Sequence, residues 1–213
     1  MYHVKEKLLK LQEEIAPYTP NIIAVTKYFG ADGIIEAYEA GLRDFGESRI
    51  PESTEKINSL PKEVKENSRF HLIGHLQSNK VKKAVEAFDF IHSVDSKELA
   101  EKISEEAFKL NKVQKIFLQI NNADEEQKFG FSKERLLNDF EEIKNLKHLE
   151  VMGLMNIAPL TDNREYLKSL FGEVRTICKE LNLKELSMGM SNDYMEAIEN
   201  GATYIRVGRK LFS

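Results

Sequence analysis

The chain is poor in the residues that would place it in several common classes. Its 213 residues include one cysteine and no tryptophan. A lone Cys178 excludes an internal disulfide and leaves no cysteine-based zinc motif. No window approaches the length of apolar residues that a membrane-spanning helix needs. Residues 1–18 are interrupted by Lys5, Glu6, Lys7, Lys10, Glu13 and Glu14, so the apolar centre of a secretory leader is missing. Neither a P-loop nor a G-x-G-x-x-G run occurs. There is also no block of like charge: 31 Lys and Arg stand against 35 Asp and Glu, a net charge of −4, with both signs interspersed along the chain. That balance argues against a nucleic-acid or anionic-membrane footprint. The expectation is a cytoplasmic, soluble protein with a single domain over residues 1–213.

What the chain does contain is repetition. With 41% hydrophobic and 31% charged residues it can bury a substantial core. After a helix over residues 3–16, short apolar runs at 22–27, 44–47, 70–74, 90–94, 115–121, 151–157, 186–190 and 204–208 alternate with helical periodicity. Caps are expected at Asp32, at Asp95 with Glu98, at Ser132, and at Asp193 with Glu196. A loop is expected over 122–131. Eight strands separated by helices suit a closed (β/α)₈ TIM barrel better than an open doubly wound sheet.

In such barrels chemistry collects at the carboxyl ends of the strands, and phosphate is often held by the last two loops. The run Ile-Ile-Ala-Val-Thr-Lys at 22–27 delivers an amine there. Alternation puts Lys27 on the face of Ile23 and Val25, where desolvation would favour the neutral, nucleophilic amine. A strand-end lysine that simply reaches water is the other reading. The loop after the seventh strand, Ser187-Met-Gly-Met-Ser-Asn-Asp193, leads into a helix start suited to an anion, or to ordinary capping by Ser191, Asn192 or Asp193. After the eighth strand, Gly208-Arg209-Lys210 offers backbone N–H donors. Arg206 shares a face with Tyr204, and a buried arginine requires a partner: a core carboxylate such as Glu47 or Glu196, or a ligand's ring nitrogen or phosphate.

These stretches have a familiar order. Ala24-Val-Thr-Lys27, Phe45-Gly-Glu47, His71-Leu-Ile-Gly-His-Leu-Gln-Ser-Asn-Lys80, Gly153-Leu-Met155, Leu186-Ser-Met-Gly-Met-Ser191 and Ile205-Arg-Val-Gly208 resemble the pyridoxal-phosphate homeostasis protein family. Its members are single-domain relatives of the amino-terminal barrel of alanine racemase. The resemblance implies that Lys27 holds pyridoxal 5′-phosphate as a Schiff base. It also implies that Ser191, Gly208 and the Arg209 backbone cradle the phosphate, that Arg206 faces the pyridine nitrogen, and that Met188 and Asn79 line the pocket. Where the family usually has Asn after Phe-Gly-Glu, this chain has Ser48, whose hydroxyl has a shorter reach. Any helix after the eighth strand is expected to be very short or absent.

The resemblance further implies a carrier or homeostasis factor for intracellular vitamin B6, with apoenzymes that use this cofactor as partners; a monomer is expected because a closed barrel leaves over no strand edge or apolar helix stripe. An arginine cannot take up a proton from the pyridine nitrogen, so the ring stays a weak electron sink. Racemisation also needs an acid or base opposite Lys27, for which Tyr194 and Tyr204 are the candidates. A weak amino-acid racemase and a Schiff-base aldolase remain the alternatives. The histidines show no zinc spacing, His92 among them standing apart in the sequence.

Overall fold

The computed structural model describes residues 2–123 and 129–213. Eight parallel strands close into a (β/α)₈ barrel: β1 (Asn21–Val25), β2 (Asp44–Glu47), β3 (Arg69–Leu72), β4 (Phe90–Val94), β5 (Gln114–Ile120), β6 (Leu149–Asn156), β7 (Glu185–Met190) and β8 (Tyr204–Val207). Each pairs with the next, and β8 returns to β1 with Ile23 opposite Arg206 and Ala24 opposite Val207. That closing pair sets the turn after β1 beside the loop after β8.

α1 (Val4–Ile15) precedes the barrel. The crossover helices are α2 (Ala31–Glu39), α3 (Glu52–Asn58), α4 (Lys62–Glu66), α5 (Val81–Ala87), α6 (Lys97–Lys109), α7 (Lys133–Lys144), α8 (Arg164–Glu180) and α9 (Tyr194–Glu199), and α10 (Arg209–Phe212) follows β8. α4 escapes the sequence pattern because its five residues bury only Val64. Three caps differ from expectation; Asp193 holds the N-cap position of α9 but makes no capping bond. Asp32 lies inside the first turn of α2, where it accepts from the Tyr2 hydroxyl at 3.3 Å. Ser96, not Asp95, caps α6 by accepting from the Leu99 N–H at 3.2 Å, while Asp95 faces His75 at 3.4 Å. Ser132 caps α7 as its position suggests, accepting from the Arg135 N–H at 3.2 Å. Part of the loop expected over 122–131 lies outside the described residues.

Alternation divides the strand side chains between two layers. Outward residues such as Ala24, Phe45, Leu118, Leu186, Met188 and Val207 pack beneath the helices in one large apolar cluster. The inward layer is small: Ile23, Phe90, Phe117, Met155 and Tyr204. The remaining inward positions are polar and buried, with His71, His92, Ser187 and Arg206 among them. A barrel centre is ordinarily filled by aliphatic side chains, so this polar column requires an explanation.

Candidate functional site

A cavity of about 630 Å³ opens at the carboxyl ends of the strands. Its walls come from several elements: Val25 and Lys27 beyond β1, Ser48 after β2, Gly74, Gln119, Met190 to Asp193, and Arg206, Gly208 and Arg209. Three of the four parts inferred from sequence therefore meet in one place: the amine, the loop after β7 and the loop after β8. The fourth, Arg206, forms the floor.

β1 ends at Val25, two residues before Lys27. The backbone then turns, with the Phe29 N–H donating to the Thr26 carbonyl at 2.9 Å, and Lys27 sits inside that turn. Its side chain is exposed at the cavity mouth, the ammonium 5.1 Å from the centre of the Tyr28 ring. The expected desolvation among aliphatic neighbours is not what the structure shows, because the strand stops before it could bury the residue. Ser48 is fixed by close approach: a Cβ on Gly74 would lie 2.3 Å from the Ser48 carbonyl oxygen, so only glycine fits there.

Arg206 is buried, and its partners are neutral. Nη1 donates to the Ser187 carbonyl at 2.7 Å and to the Ser187 hydroxyl at 2.9 Å; Nη2 donates to the Asn156 carbonyl at 2.7 Å. Among the described residues neither Glu47 nor Glu196 pairs with it: Glu47 binds Lys56, and Glu196 binds Arg164. Burial pushes the guanidinium down to about 10, while the nearby Asp193 carboxylate works the other way. It thus stays charged at neutral pH. A guanidinium has five N–H donors, and these contacts use three. Among the described residues this buried cation has no carboxylate partner and keeps donors to spare, and its place in the cavity wall suits an acceptor or anion.

Below Arg206 the polar column forms one hydrogen-bonded chain. The Ser187 hydroxyl meets His92 Nδ1 at 2.9 Å, His92 Nε2 meets His71 Nδ1 at 2.9 Å, and His71 Nε2 meets Asp44 Oδ1 at 2.9 Å. Arg69 closes the far end on Asp44 with two bonds of 2.7 and 2.6 Å. Burial pushes the Asp44 carboxyl up, but the hydrogen bonds from His71 and Arg69 outweigh it and hold the group below its ordinary value. An ionised Asp44 accepts the His71 Nε2–H, so His71 Nδ1 accepts from His92 Nε2–H, and His92 Nδ1 accepts from Ser187. Both imidazoles are then neutral, in keeping with burial lowering both below their ordinary range. Sequence spacing could not reveal this column, because β2, β3, β4, β7 and β8 each contribute one or two residues.

The loops after β7 and β8 lie side by side in the cavity wall. The starts of α9 and α10 leave N–H groups with no acceptor inside the helix, as helix starts do. Asp193 is taken up by its own turn, accepting from the Met190 N–H. Arg209 is exposed and donates to Asn192 Oδ1 at 3.4 Å. Gly208 has an ordinary φ of −110°, and a Cβ there would stand 3.5 Å from Val25 Cβ, an ordinary contact. Packing thus leaves room for a side chain at 208, on the open cavity.

Two residues expected in the pocket lie elsewhere. Met188 faces outward on β7 into the layer beneath the helices, because Ser187 and not Met188 points inward; Met190 takes the lining position. Asn79 sits in the short 3₁₀ turn Ser78–Lys80 before α5 and does not reach the lining. Neither candidate tyrosine lines the cavity. The Tyr194 hydroxyl donates to Glu14 and accepts from Lys210 on the outer side, and the Tyr204 ring lies deeper, against His71, His92 and Phe117. Among the described residues no group of three or more His, Cys, Asp or Glu side chains could hold a metal ion.

The alanine racemase N-terminal domain family matches this barrel over residues 2–213, and Lys27, the loops after β7 and β8 and the buried Arg206 line one cavity in it. The pyridoxal phosphate homeostasis protein of Synechocystis sp. is 43% identical over 208 residues, spanning 94% of each chain. That of Aquifex aeolicus is 39% identical over 197 residues, covering 90% of this chain and 85% of its own. PipY of Synechococcus elongatus PCC7942, solved with PLP bound, has the same fold with a TM-score of 0.90 and 40% identity, over 99% of this chain and 100% of its own. The chain belongs to the alanine racemase N-terminal domain family, among the pyridoxal phosphate homeostasis proteins. Among the described residues no helix is long and apolar enough to cross a membrane.

Proposed function

We propose that this chain binds pyridoxal 5′-phosphate and acts as a carrier and homeostasis factor for it, a monomer of one domain in the cytoplasm that supplies apoenzymes using the cofactor. The observation that carries this reading is the joining of Lys27 and the carboxylate-free, buried Arg206 in one cavity. Lys27 would hold the cofactor through its amine, the nucleophile at the cavity mouth available to the cofactor's aldehyde. The backbone at Gly208 and Arg209, with the Ser191 hydroxyl, holds the phosphate. Arg206, which has only N–H donors, would face the pyridine nitrogen as a donor and would leave that nitrogen unprotonated. When bound, the cofactor supplies an electron-accepting ring, weakened here by its neutral nitrogen. The placement of Tyr194 and Tyr204 outside the cavity wall favours a carrier over a racemase, which needs a proton donor opposite Lys27.

Titration with the cofactor tests the proposal by absorbance. The wild-type protein should develop the visible band of a protonated Schiff base, and Lys27→Ala should not. Lys27→Ala should also bind at least about tenfold more weakly, since the covalent bond is gone while the cradle remains. An unchanged band in Lys27→Ala would transfer the role to another amine and overturn this assignment.

A further inference from the structure

The turn carrying Lys27 is held from below by a second lysine. Lys56, on α3, is largely buried, and its ammonium has three partners: the Thr26 carbonyl at 2.9 Å, the Phe29 carbonyl at 2.9 Å and Glu47 Oε1 at 2.5 Å. Those three bonds use all the donors an ammonium has. The two carbonyls belong to the first and last residues of the turn that contains Lys27. Glu47 is itself buried and saturated, accepting from the Thr26 hydroxyl at 2.6 Å and the Ser53 hydroxyl at 3.2 Å. Thr26 is therefore gripped through both its side chain and its carbonyl. Lys27, one residue on, keeps an exposed side chain above a fixed backbone.

We propose that Lys56, seated on Glu47, is a positioning residue for Lys27, clamping both ends of its turn so that the amine stands at a fixed offset from the phosphate cradle. The inference rests on the reading of Lys27 as the Schiff-base lysine. An exposed, four-carbon side chain has many rotamers, so the geometry of attack depends on how firmly its backbone is anchored. Lys56 does not compete for the cofactor, because its ammonium is enclosed and the cavity wall does not include it. The clamp acts on the step at Lys27 and leaves the loops after β7 and β8 alone.

Two ligands separate these effects. Pyridoxal 5′-phosphate uses both the cradle and the amine, whereas pyridoxamine 5′-phosphate has no aldehyde and uses the cradle alone. In Lys56→Met the rate of Schiff-base formation should fall about tenfold, the loss expected when charge-assisted bonds that orient a reacting group are removed. Affinity for the pyridoxamine form should stay within about twofold, since no contact to the cradle is lost. Lys56→Arg should restore part of the rate. Lys62→Met, which removes an exposed lysine, should change nothing. If Lys56→Met leaves too little folded protein because Glu47 is left as a buried lone carboxylate, the pair Glu47→Gln and Lys56→Met removes both charges and takes the same titration. Equal loss for the two ligands, or no loss for either, overturns the clamp. A wild-type protein that forms no Schiff base would instead overturn the cofactor reading itself.

Discussion

Acidification should destabilise this protein as the pH falls below the ordinary histidine range. The buried pair His71 and His92 is neutral when folded, held so by burial, with Asp44 and Asp89 favouring the charged form of His71 and Arg69 and Arg206 opposing charge on the pair. Unfolding releases two imidazoles that take up protons below their ordinary value of 6.5. The unfolded chain then binds more protons than the folded one, so stability falls as the pH falls. Each histidine contributes about half of 1.4 kcal/mol per pH unit at pH 6.5 and approaches about 1.4 as the pH falls further, so the limiting slope for the two is about 3 kcal/mol per unit. The loss begins near pH 6.5 and levels off only where the folded imidazoles themselves take up protons. Asp44 acts in a lower window: its carboxyl is held below 3.8, so its contribution is complete above that value and lost as the pH falls through the folded one. Denaturant unfolding at several pH values measures the slope directly. His92→Gln should lower it by about 1.4 kcal/mol per unit whatever its effect on stability at neutral pH. A wild-type slope near zero between pH 6.5 and about 5.5 would mean that the column carries charge in the folded state, contrary to the proton arrangement derived from its bonds.

Gly208→Ala should separate binding from folding. A methyl group at 208 meets only ordinary contacts with Val25, and the backbone φ of −110° suits any residue. Stability without cofactor should therefore be unchanged or rise by about 0.5 kcal/mol, since alanine restricts the unfolded chain. The methyl group would fill the space in which phosphate oxygens approach the N–H groups. Losing two charge-assisted bonds there corresponds to an affinity about a hundredfold weaker. Gly189→Ala makes the contrast: its φ is +89° and its Cβ would stand 2.6 Å from Ala197 Cβ, so that substitution should cost stability first. Thermal melts with and without the cofactor read both quantities. Cofactor affinity that survives in Gly208→Ala would move the phosphate away from this loop.

The barrel itself was legible because each βα unit announces itself locally, by an apolar run, a cap and a helical stripe. β2 and β4 begin and end where the residue pattern places them. The amine, the two loops and Arg206 could be assigned because strand ends are where a barrel places its chemistry. Other features depend on contacts between distant parts of the chain. His92 stands apart in sequence, yet β3 and β4 bring it 2.9 Å from His71. Glu47 lies at a strand end and Lys56 on a helix, and only closure of the barrel puts the Thr26 turn between them. Met188 illustrates the opposite limit: alternation is clear within β7, but which parity faces inward is set by the neighbouring strands.

The most direct test of the central claim is mass spectrometry of the wild-type protein loaded with pyridoxal 5′-phosphate, reduced with borohydride and digested. Reduction fixes the C=N bond as a stable amine, so the label stays where it formed. The expected result is one phosphopyridoxyl group per chain, on the peptide containing Lys27, with Lys56 and the surface lysines unlabelled. A label distributed over surface lysines, or concentrated on any residue other than Lys27, would contradict the account.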